Sequence, residues 1–213
     1  MDQLGKRHPS KNEELEKEFI EKEIAPPFWK SVSSFVIEVL KIVIISLVII
    51  VPIRYFLIKP FYVKGASMEP TFYDHEYLVI DEISYRFNDP ARGDIVVFSY
   101  IEDPSQFFIK RIIGLPNEQI QIQNGEITIY QEEGGGGEII DESAYLDEDV
   151  VTSGDIIVNL QNDEYFVLGD NRVYSLDSRR IGAVKKEAIV GRTWIRAWPF
   201  NKFTHFSTPE YGV

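Results

Sequence analysis

The hydrophobic and polar positions of this 213-residue chain follow two different patterns. Residues 39–58, VLKIVIISLVIIVPIRYFLI, form one apolar run, in which the positions from Ile42 to Ile53 contain a single serine and no polar face. A membrane-spanning helix needs about 20 such residues. We therefore predict a transmembrane helix over residues 35–58, and a buried helix of a soluble domain is the alternative.

The part before this run, residues 1–34, is predicted to be a charged tail. Residues 10–24 form either an exposed helix or a solvated tail that ends at Pro26 and Pro27. About 38 residues rich in glutamate and lysine precede the apolar run, whereas a cleaved secretory signal has a short basic leader. The run therefore fits an anchor that stays in place. Its flanking lysines are balanced and do not predict an orientation.

From residue 59 onward the pattern changes to short β-rich runs separated by turns. This pattern predicts a mainly β domain over residues 59–213, a barrel-like antiparallel sheet that follows the transmembrane helix. The predicted strands are FYV (61–63), YLVI (77–80), DIVVFSY (94–100), FFIKRIIG (107–114), QIQIQ (119–123), EITIY (126–130), DIIV (155–158), EYFVLGD (164–170) and IVGRTWIRAW (189–198).

The middle of this domain, about residues 119–155, contains a predicted hairpin and a glycine-rich excursion. QIQIQ and EITIY alternate around Asn124-Gly125, which is a strong hairpin signal. The excursion, defined as residues 131–154, contains four consecutive glycines and eight acidic residues and is predicted to be mobile and solvated. We interpret its acidic side chains as a solubilising surface in preference to a metal site.

The charge of the chain narrows the classes of partner. The formal net charge is -12, and residues 1–58 carry eight basic and eight acidic residues, whereas residues 59–213 carry fourteen and twenty-six. An acidic surface repels a polyanion, so no nucleic-acid partner is expected. The chain has no cysteine, which excludes disulfides, zinc-thiolate sites and a cysteine nucleophile. No metal or cofactor is expected.

One serine stands in an unusual setting, in KGASMEPTF (64–72). Pro70 prevents an ordinary helix through this segment, so Ser67 is predicted to lie on a loop. A serine nucleophile needs an adjacent base. His8 precedes the predicted span and would face the other side of the membrane. His75 and His205 have no carboxylate at a telling spacing, so a Ser-His-Asp triad is weakly indicated.

A lysine in the predicted strand FFIKRIIG is the other candidate base. Strand alternation places Lys110 on the same face as Phe108 and Ile112, with Arg111 on the opposite face. Burial there would lower the pKa of the amine and allow it to accept the proton of a serine. The alternative is a lysine whose ammonium group reaches water.

Four blocks of the sequence together resemble the sequence boxes of the bacterial type I signal peptidases, in a Gram-positive-like subgroup. The blocks are SMEPT (67–71), RGDIVVF (92–98), KRIIGLP (110–116) and GDNRVYSLDSRRIG (169–182), and they follow the apolar run in this order. The resemblance covers nearly all of residues 61–195.

The resemblance implies roles for individual residues. Ser67 would be the nucleophile, Lys110 the general base, and Ser175 a hydroxyl that orients the lysine amine. The other implied site residues are Met68 beside the substrate cleft, Pro70 in the loop, an ion pair of Asp177 with Arg179, and Asp170 as the partner of Arg111. One position departs from some relatives, because Gly65 stands where they have a serine that stabilises the oxyanion. Gram-positive relatives resemble this chain in having glycine there.

The implied activity is removal of signal peptides by a membrane-anchored serine endopeptidase, through an acyl-enzyme and after small residues in A-x-A-like sites. The implied partners are precursors that bear signal peptides and the lipid bilayer, and a monomer is expected. The tail would be cytoplasmic and the catalytic domain extracytoplasmic. The alternatives are a non-catalytic β-domain that binds partner proteins, a self-cleaving serine-lysine peptidase of the repressor type, and a hydrolase based on His75.

Overall fold

The structure, a computed structural model, describes residues 10–24, 28–52, 59–131, 135–147, 149–209 and 211. The chain divides into two compact units, residues 1–51 and residues 52–213. The described part of the first unit is helical, and the second unit consists mainly of antiparallel strands. The predicted fold class, a mainly antiparallel β domain preceded by one apolar helix, is confirmed.

The first unit contains two helices, α1 (Lys11–Ile24) and α2 (Phe28–Pro52). Ser10 and Glu13 cap the start of α1, because Glu13 N donates to Ser10 Oγ (3.4 Å) and Ser10 N donates to Glu13 Oε2 (2.9 Å). For residues 10–24 the structure therefore has the helix, not the solvated tail.

Helix α2 contains the predicted span but has different bounds. It begins at Phe28, ahead of the predicted start at residue 35, and residues 53–58 of the prediction lie outside the described residues. Trp29–Pro52 is long and apolar enough to cross a membrane, and none of its most apolar window is buried. A core helix of a soluble protein would be buried, so that alternative is not what the structure has.

The second unit is built around an eight-stranded antiparallel sheet. Its strands are β1 (Lys59–Tyr62), β2 (Tyr77–Asp81), β3 (Ile95–Ser99), β4 (Phe107–Gly114), β9 (Glu164–Leu168), β10 (Val184–Lys185), β11 (Ile189–Trp198) and β12 (Thr204–His205). The order is β1-β2-β11-β3-β4-β9-β10, and β12 pairs with β11. Strand β4, which carries Lys110, is interior because β3 pairs along Phe107–Arg111 and β9 pairs from Arg111 to Gly114.

A smaller sheet contains the predicted hairpin, which is confirmed. Its strands are β5 (Gln119–Gln123), β6 (Glu126–Tyr130), β7 (Glu138–Ile139) and β8 (Ile156–Asn159), in the order β7-β6-β5-β8. Asn124 (φ 53°) and Gly125 (φ 89°) both adopt the left-handed conformation that a tight two-residue hairpin turn requires. The isoleucines that alternate along β5 and β6 are buried in one core cluster.

The loop between β1 and β2 is part of a second core cluster. Met68 and Phe72, on either side of Pro70, are at most 1 % exposed and pack with Val63 and Ile109. The segment that carries Ser67 therefore has a buried apolar side, which fixes the loop on the sheet.

The described part of residues 131–154 is mostly exposed, as predicted for a solvated excursion, but it also makes a few ordered contacts. Its mobility stays a prediction. Strand β7 pairs with β6, and Ile140, Leu146 and Thr152 are buried. A short segment, α3 (Ser178–Ile181), lies outside the excursion and follows the GDNR block. These few apolar contacts were not predicted, because the excursion is mostly acidic in composition. Strands β7, β10 and β12 were not predicted because they are too short to show an alternating pattern.

Candidate active site

Ser67 lies on the loop that joins β1 to β2. Val63 N donates to Glu76 O over 2.9 Å, which continues the pairing of the two strands into the base of the loop. Gly65 has φ 87°, a left-handed conformation in which an L side chain is strained, and its N–H donates to Asp74 Oδ1 over 2.9 Å. These contacts fix the loop and hold the half-buried hydroxyl of Ser67 at its surface.

The amine of Lys110 reaches Ser67 from strand β4. Its Nζ lies 2.8 Å from Ser67 Oγ and donates to the carbonyl oxygen of Ile109, also over 2.8 Å. Lys110 is 4 % exposed, and its Nζ lies 5.6 Å from the centre of the Phe108 ring. The amine therefore faces a protein interior, and the alternative of a lysine whose head reaches water does not fit this geometry.

Burial lowers the pKa of Lys110 from 10.5 to about 8, because the ammonium loses its hydration. The negative charges of Asp177 and Asp170 favour the ammonium and limit the fall. A useful fraction of neutral amine therefore exists near neutral pH. Its lone pair can accept a proton from Ser67 Oγ.

The GDNR segment packs against the backbone of Ser67. Asn171 N donates to Ser67 O (3.1 Å), and Asn171 Nδ2 donates to Ala66 O (3.0 Å). Gly169 packs so closely against Ser67 and Ser175 that an added Cβ would lie 2.2 Å from Ser175 Oγ and 2.4 Å from Ser67 O. Ser175 Oγ is buried there and makes no hydrogen bond of ordinary geometry within the described residues. Glycine at position 169 is thus required by space alone.

Two arginine–carboxylate pairs surround this segment. Arg111 donates to Asp170 through Nε (2.9 Å) and Nη2 (2.7 Å), and Arg179 donates to Asp177 through Nε (2.9 Å) and Nη2 (2.8 Å). Burial opposes ionisation of Asp177, but the hydrogen bonds from Arg179 outweigh it and hold the pKa of this carboxyl below its usual value. Asp177 Oδ2 also accepts from Gly169 N (3.1 Å), so the pair holds the close-packed glycine.

Ser67 and Lys110 open onto a cleft of about 310 Å³. One wall runs from Phe61 to Ala66, and the opposite wall is the first half of β4, Phe107–Ile109. Tyr174 and Leu176 complete the lining. The two walls are backbone segments in or next to strands, so the cleft can accept an extended peptide between them.

The histidines are placed elsewhere. His75 is largely exposed, and its Nδ1 lies 2.8 Å from Asp74 Oδ2. The ring of His205, in β12, lies edge-on to that of Trp194, and His8 lies outside the described residues. Neither described histidine hydrogen-bonds Ser67, whereas Lys110 does. Within the same residues, no group of three or more histidine, aspartate or glutamate side chains could hold a metal ion.

Arg196, which was not predicted as a site residue, binds the serine loop from β11. Its guanidinium donates to Thr71 O, forms an ion pair with Glu76 (Nε to Oε2, 3.0 Å) and lies 5.3 Å from the rings of both Phe72 and Phe206. A charged residue inside the apolar run IVGRTWIRAW was a signal of the same kind as Lys110. Asn171 was also missed, and no pattern distinguished it from the rest of its block.

A serine hydroxyl beside a buried lysine amine is an arrangement that suits a serine hydrolase, and comparisons with known proteins identify the family of the chain. Residues 36–198 match the family described as signal peptidase, peptidase S26. A probable signal peptidase I-2 of Synechocystis sp. is 35% identical over 168 residues, which cover 76% of this chain and 73% of the relative. A signal peptidase I P of Bacillus subtilis subsp. natto is 33% identical over 186 residues, 83% and 96% of the two chains.

A solved structure of a signal peptidase I from Enterococcus faecalis V583 is 28% identical, covers 49% of this chain and 97% of that chain, and gives a TM-score of 0.39. The family match covers most of the sequence, and both relatives are more than 30% identical. The chain therefore belongs to the signal peptidase family, peptidase S26, and is a serine endopeptidase. The family predicted from the four sequence blocks is confirmed.

Proposed function

We propose that this protein removes signal peptides from secretory precursors, with Ser67 as the nucleophile and Lys110 as the general base. The observation that best supports the dyad is the 2.8 Å contact between Lys110 Nζ and Ser67 Oγ, at a buried position where the pKa of the amine is about 8. The family of the chain supports the substrate class.

The reaction proceeds through an acyl-enzyme. Ser67 Oγ attacks the scissile carbonyl carbon while its proton passes to the neutral Nζ of Lys110. The ammonium then protonates the leaving amine, the peptide C–N bond breaks, and the acyl group remains on Ser67. Lys110 next takes a proton from a water molecule that attacks the ester, and it returns that proton to Ser67 Oγ as the new carboxyl end departs.

The developing oxyanion needs hydrogen-bond donors, and we assign the backbone N–H of Ser67 to this role. One such donor is worth about 2.7 to 4 kcal/mol. Gly65 has no hydroxyl to add, and its own N–H is already engaged by Asp74. Apart from Gly65 and its two chain neighbours, no atom of the described residues lies within 4 Å of a Cβ built on Gly65, so space remains for a second donor from the substrate or from water.

The other predicted site residues would position the dyad. Ser175, buried beside Gly169, would orient the amine of Lys110, and Met68, almost fully buried, would support the floor of the cleft. The ion pair of Asp177 with Arg179 would keep the Gly169 segment in place. An arginine keeps its proton in proteins, so Arg179 has a structural role and is not a base.

The substrate would bind as an added strand in the cleft. Strand β9 pairs with β4 at Arg111, Ile112 and Gly114, and the preceding half of β4 lines the cleft. Main-chain hydrogen bonds to these walls would hold the peptide, and shallow apolar contacts would favour small side chains, as in A-x-A-like cleavage sites.

The apolar helix α2 would anchor the enzyme in the cell membrane. Confinement to the bilayer that also holds the signal peptide raises the effective concentration of enzyme and substrate. On this proposal residues 1–34 are a cytoplasmic tail, the span crosses once, and residues 59–213 act as an extracytoplasmic monomer.

The test uses the detergent-solubilised full chain and a secretory precursor, with Ser67→Ala, Lys110→Met and His75→Ala beside the native protein. We expect one cleavage after a small residue, lost in the first two variants and kept in the third. An active Lys110→Met enzyme would remove the dyad, cleavage by Ser67→Ala would remove Ser67 as the nucleophile, and loss of cleavage in His75→Ala would favour a base at His75.

A further inference from the structure

An acidic residue of the excursion, Glu142, is bound to a buried arginine of the GDNR block. Arg172 is 3 % exposed and donates to Glu142 through Nη1 (to Oε2, 2.7 Å) and Nη2 (to Oε1, 2.5 Å). Its Nη1 also donates to Thr152 Oγ1, a second residue of the excursion that is itself buried. The middle of the excursion and its last part thus converge on one guanidinium.

The same guanidinium reaches the backbone next to Ser67. Arg172 Nε donates to the carbonyl oxygen of Gly169 over 3.0 Å. Gly169 is the residue whose Cα packs against both Ser67 O and Ser175 Oγ, and its N–H is held by Asp177. Arg172 therefore holds the carbonyl side of Gly169, the residue that lies between Ser67 and Ser175.

The three arginines of the site, of which Arg111 and Arg172 are buried and Arg179 is half-buried, differ in the origin of their partners. Arg111 and Arg179 take their carboxylates from the GDNR block itself, Asp170 and Asp177. Arg172 takes its carboxylate from the excursion, 30 residues earlier in the chain. A buried guanidinium without a counter-charge is strongly unfavourable, so the position of Arg172 depends on Glu142.

Two further contacts connect the excursion to this block and to β4. The Tyr145 ring stacks on the guanidinium of Arg111 with a centre-to-Cζ distance of 3.8 Å, and Tyr145 OH donates to Glu142 Oε1 over 2.5 Å. Arg179 Nη1 donates to Ser153 Oγ over 3.3 Å. All three arginines therefore contact the excursion.

We propose that Glu142 is a positioning residue of the peptidase, which acts through Arg172 on Gly169 and so sets the geometry of Ser67 and Ser175. The acidic excursion is thereby a working part of the catalytic domain and not a solubilising insertion. This inference rests on the proposed function, because it assumes that Ser67 is the nucleophile.

The experiment compares Glu142→Ala and Glu142→Gln with the matched control Asp147→Asn, an exposed acidic residue of the same excursion. Each full-length variant is assayed in detergent with a secretory precursor and with a small activated ester that acylates Ser67 without filling the cleft. Thermal unfolding of each variant is measured beside the assays, so that rates are compared below the unfolding temperature.

We expect Glu142→Ala to lower kcat for the precursor and the rate of ester acylation by about tenfold to a hundredfold, the cost of a small misplacement of reacting groups. KM should change less than about threefold, because the cleft walls are untouched. Glu142→Gln, which keeps one acceptor for Arg172, should be more active than Glu142→Ala. Asp147→Asn should match the native enzyme.

An acylation rate within about twofold of native in folded Glu142→Ala overturns the inference, as does a rise in KM at unchanged kcat, which would mean substrate contact. If Glu142→Ala does not fold, Thr152→Val decides: it removes the hydroxyl that accepts from Arg172, and a native acylation rate overturns the inference. The Ser67→Ala variant distinguishes failure of this inference from failure of the proposed function. If it is inactive while Glu142→Ala is native, this inference alone fails, whereas an active Ser67→Ala defeats the proposed function.

Discussion

Lys110 and Arg111 are successive residues of β4, equally buried, and yet they have opposite electrostatic environments. Lys110 hydrogen-bonds a hydroxyl and a carbonyl, and burial lowers its pKa to about 8. Arg111 donates twice to Asp170, and although burial works against its charge, these bonds raise its pKa above the usual value of an arginine. The difference teaches that the partner of a buried cation, more than its burial, decides whether it can give up its proton.

On the proposed mechanism, this contrast gives Lys110 the chemical role and Arg111 a structural one. A guanidinium in a bidentate pair keeps its charge and orients what surrounds it. An amine next to neutral acceptors gives up its proton at an accessible pH. Strand alternation places the two side chains on opposite faces of β4, so one strand serves both purposes.

The largest effect should come from making position 110 resemble position 111. Lys110→Arg puts a side chain that stays charged beside Ser67, so no base is present and activity on a precursor should fall by about 10⁴-fold or more. Steady-state cleavage rates measure this loss, with Lys185→Arg on the exposed face of β10 as the control. Substantial activity in Lys110→Arg would show that the amine is not the base.

The next effect should come from removing the partner of Arg111. Asp170→Asn leaves a buried guanidinium without its counter-charge and should lower the free energy of unfolding by about 3 to 5 kcal/mol. Urea denaturation measures it. The control is Asp89→Asn, whose exposed ion pair with Lys186 should be worth less than about 1 kcal/mol. Equal losses in the two variants would contradict the distinction between buried and exposed pairs.

Lys110→Met should stabilise the protein while it abolishes activity. The folded pKa of about 8 lies below the unfolded value of 10.5, so the native state carries a penalty that is fully present below pH 8 and disappears as the pH rises to 10.5. The difference between the two pKa values corresponds to about 3 kcal/mol, which is the upper limit of the gain in the free energy of unfolding at pH 7. Denaturation at pH 7 and pH 10 measures it, and a gain that does not shrink at the higher pH would contradict this origin.

The smallest effect is the pH dependence of the native enzyme. Only the neutral amine can act as a base, so kcat/KM should rise about tenfold per pH unit up to about pH 8 and then level off. A pH–rate profile on a precursor measures this limb. A profile whose rising limb is lost in His75→Ala would instead indicate a histidine base.

The sequence predicted those parts of the fold that depend on local pattern. The bounds of β4, β5, β6 and β11 follow directly from alternation and turn residues, and Asn124-Gly125 formed the expected hairpin. The prediction that Ser67 lies near Lys110 rested on family resemblance. No local rule brings a residue of the loop after β1 close to a residue of β4, because β1 and β4 are not adjacent in the sheet order. Glu142 and Arg196 escaped prediction because their partners lie far along the chain, and long-range pairing leaves no periodic signal.

The strand order affects when the site can form during synthesis of the chain. Strand β11, near the end of the chain, lies between β2, which follows the serine loop, and β3, which pairs with the strand of Lys110. If Ser67 and Lys110 form the proposed dyad, we expect them to be held together only after β11 has been synthesised and inserted between β2 and β3. A nascent copy that lacks this strand should therefore be inactive as a protease.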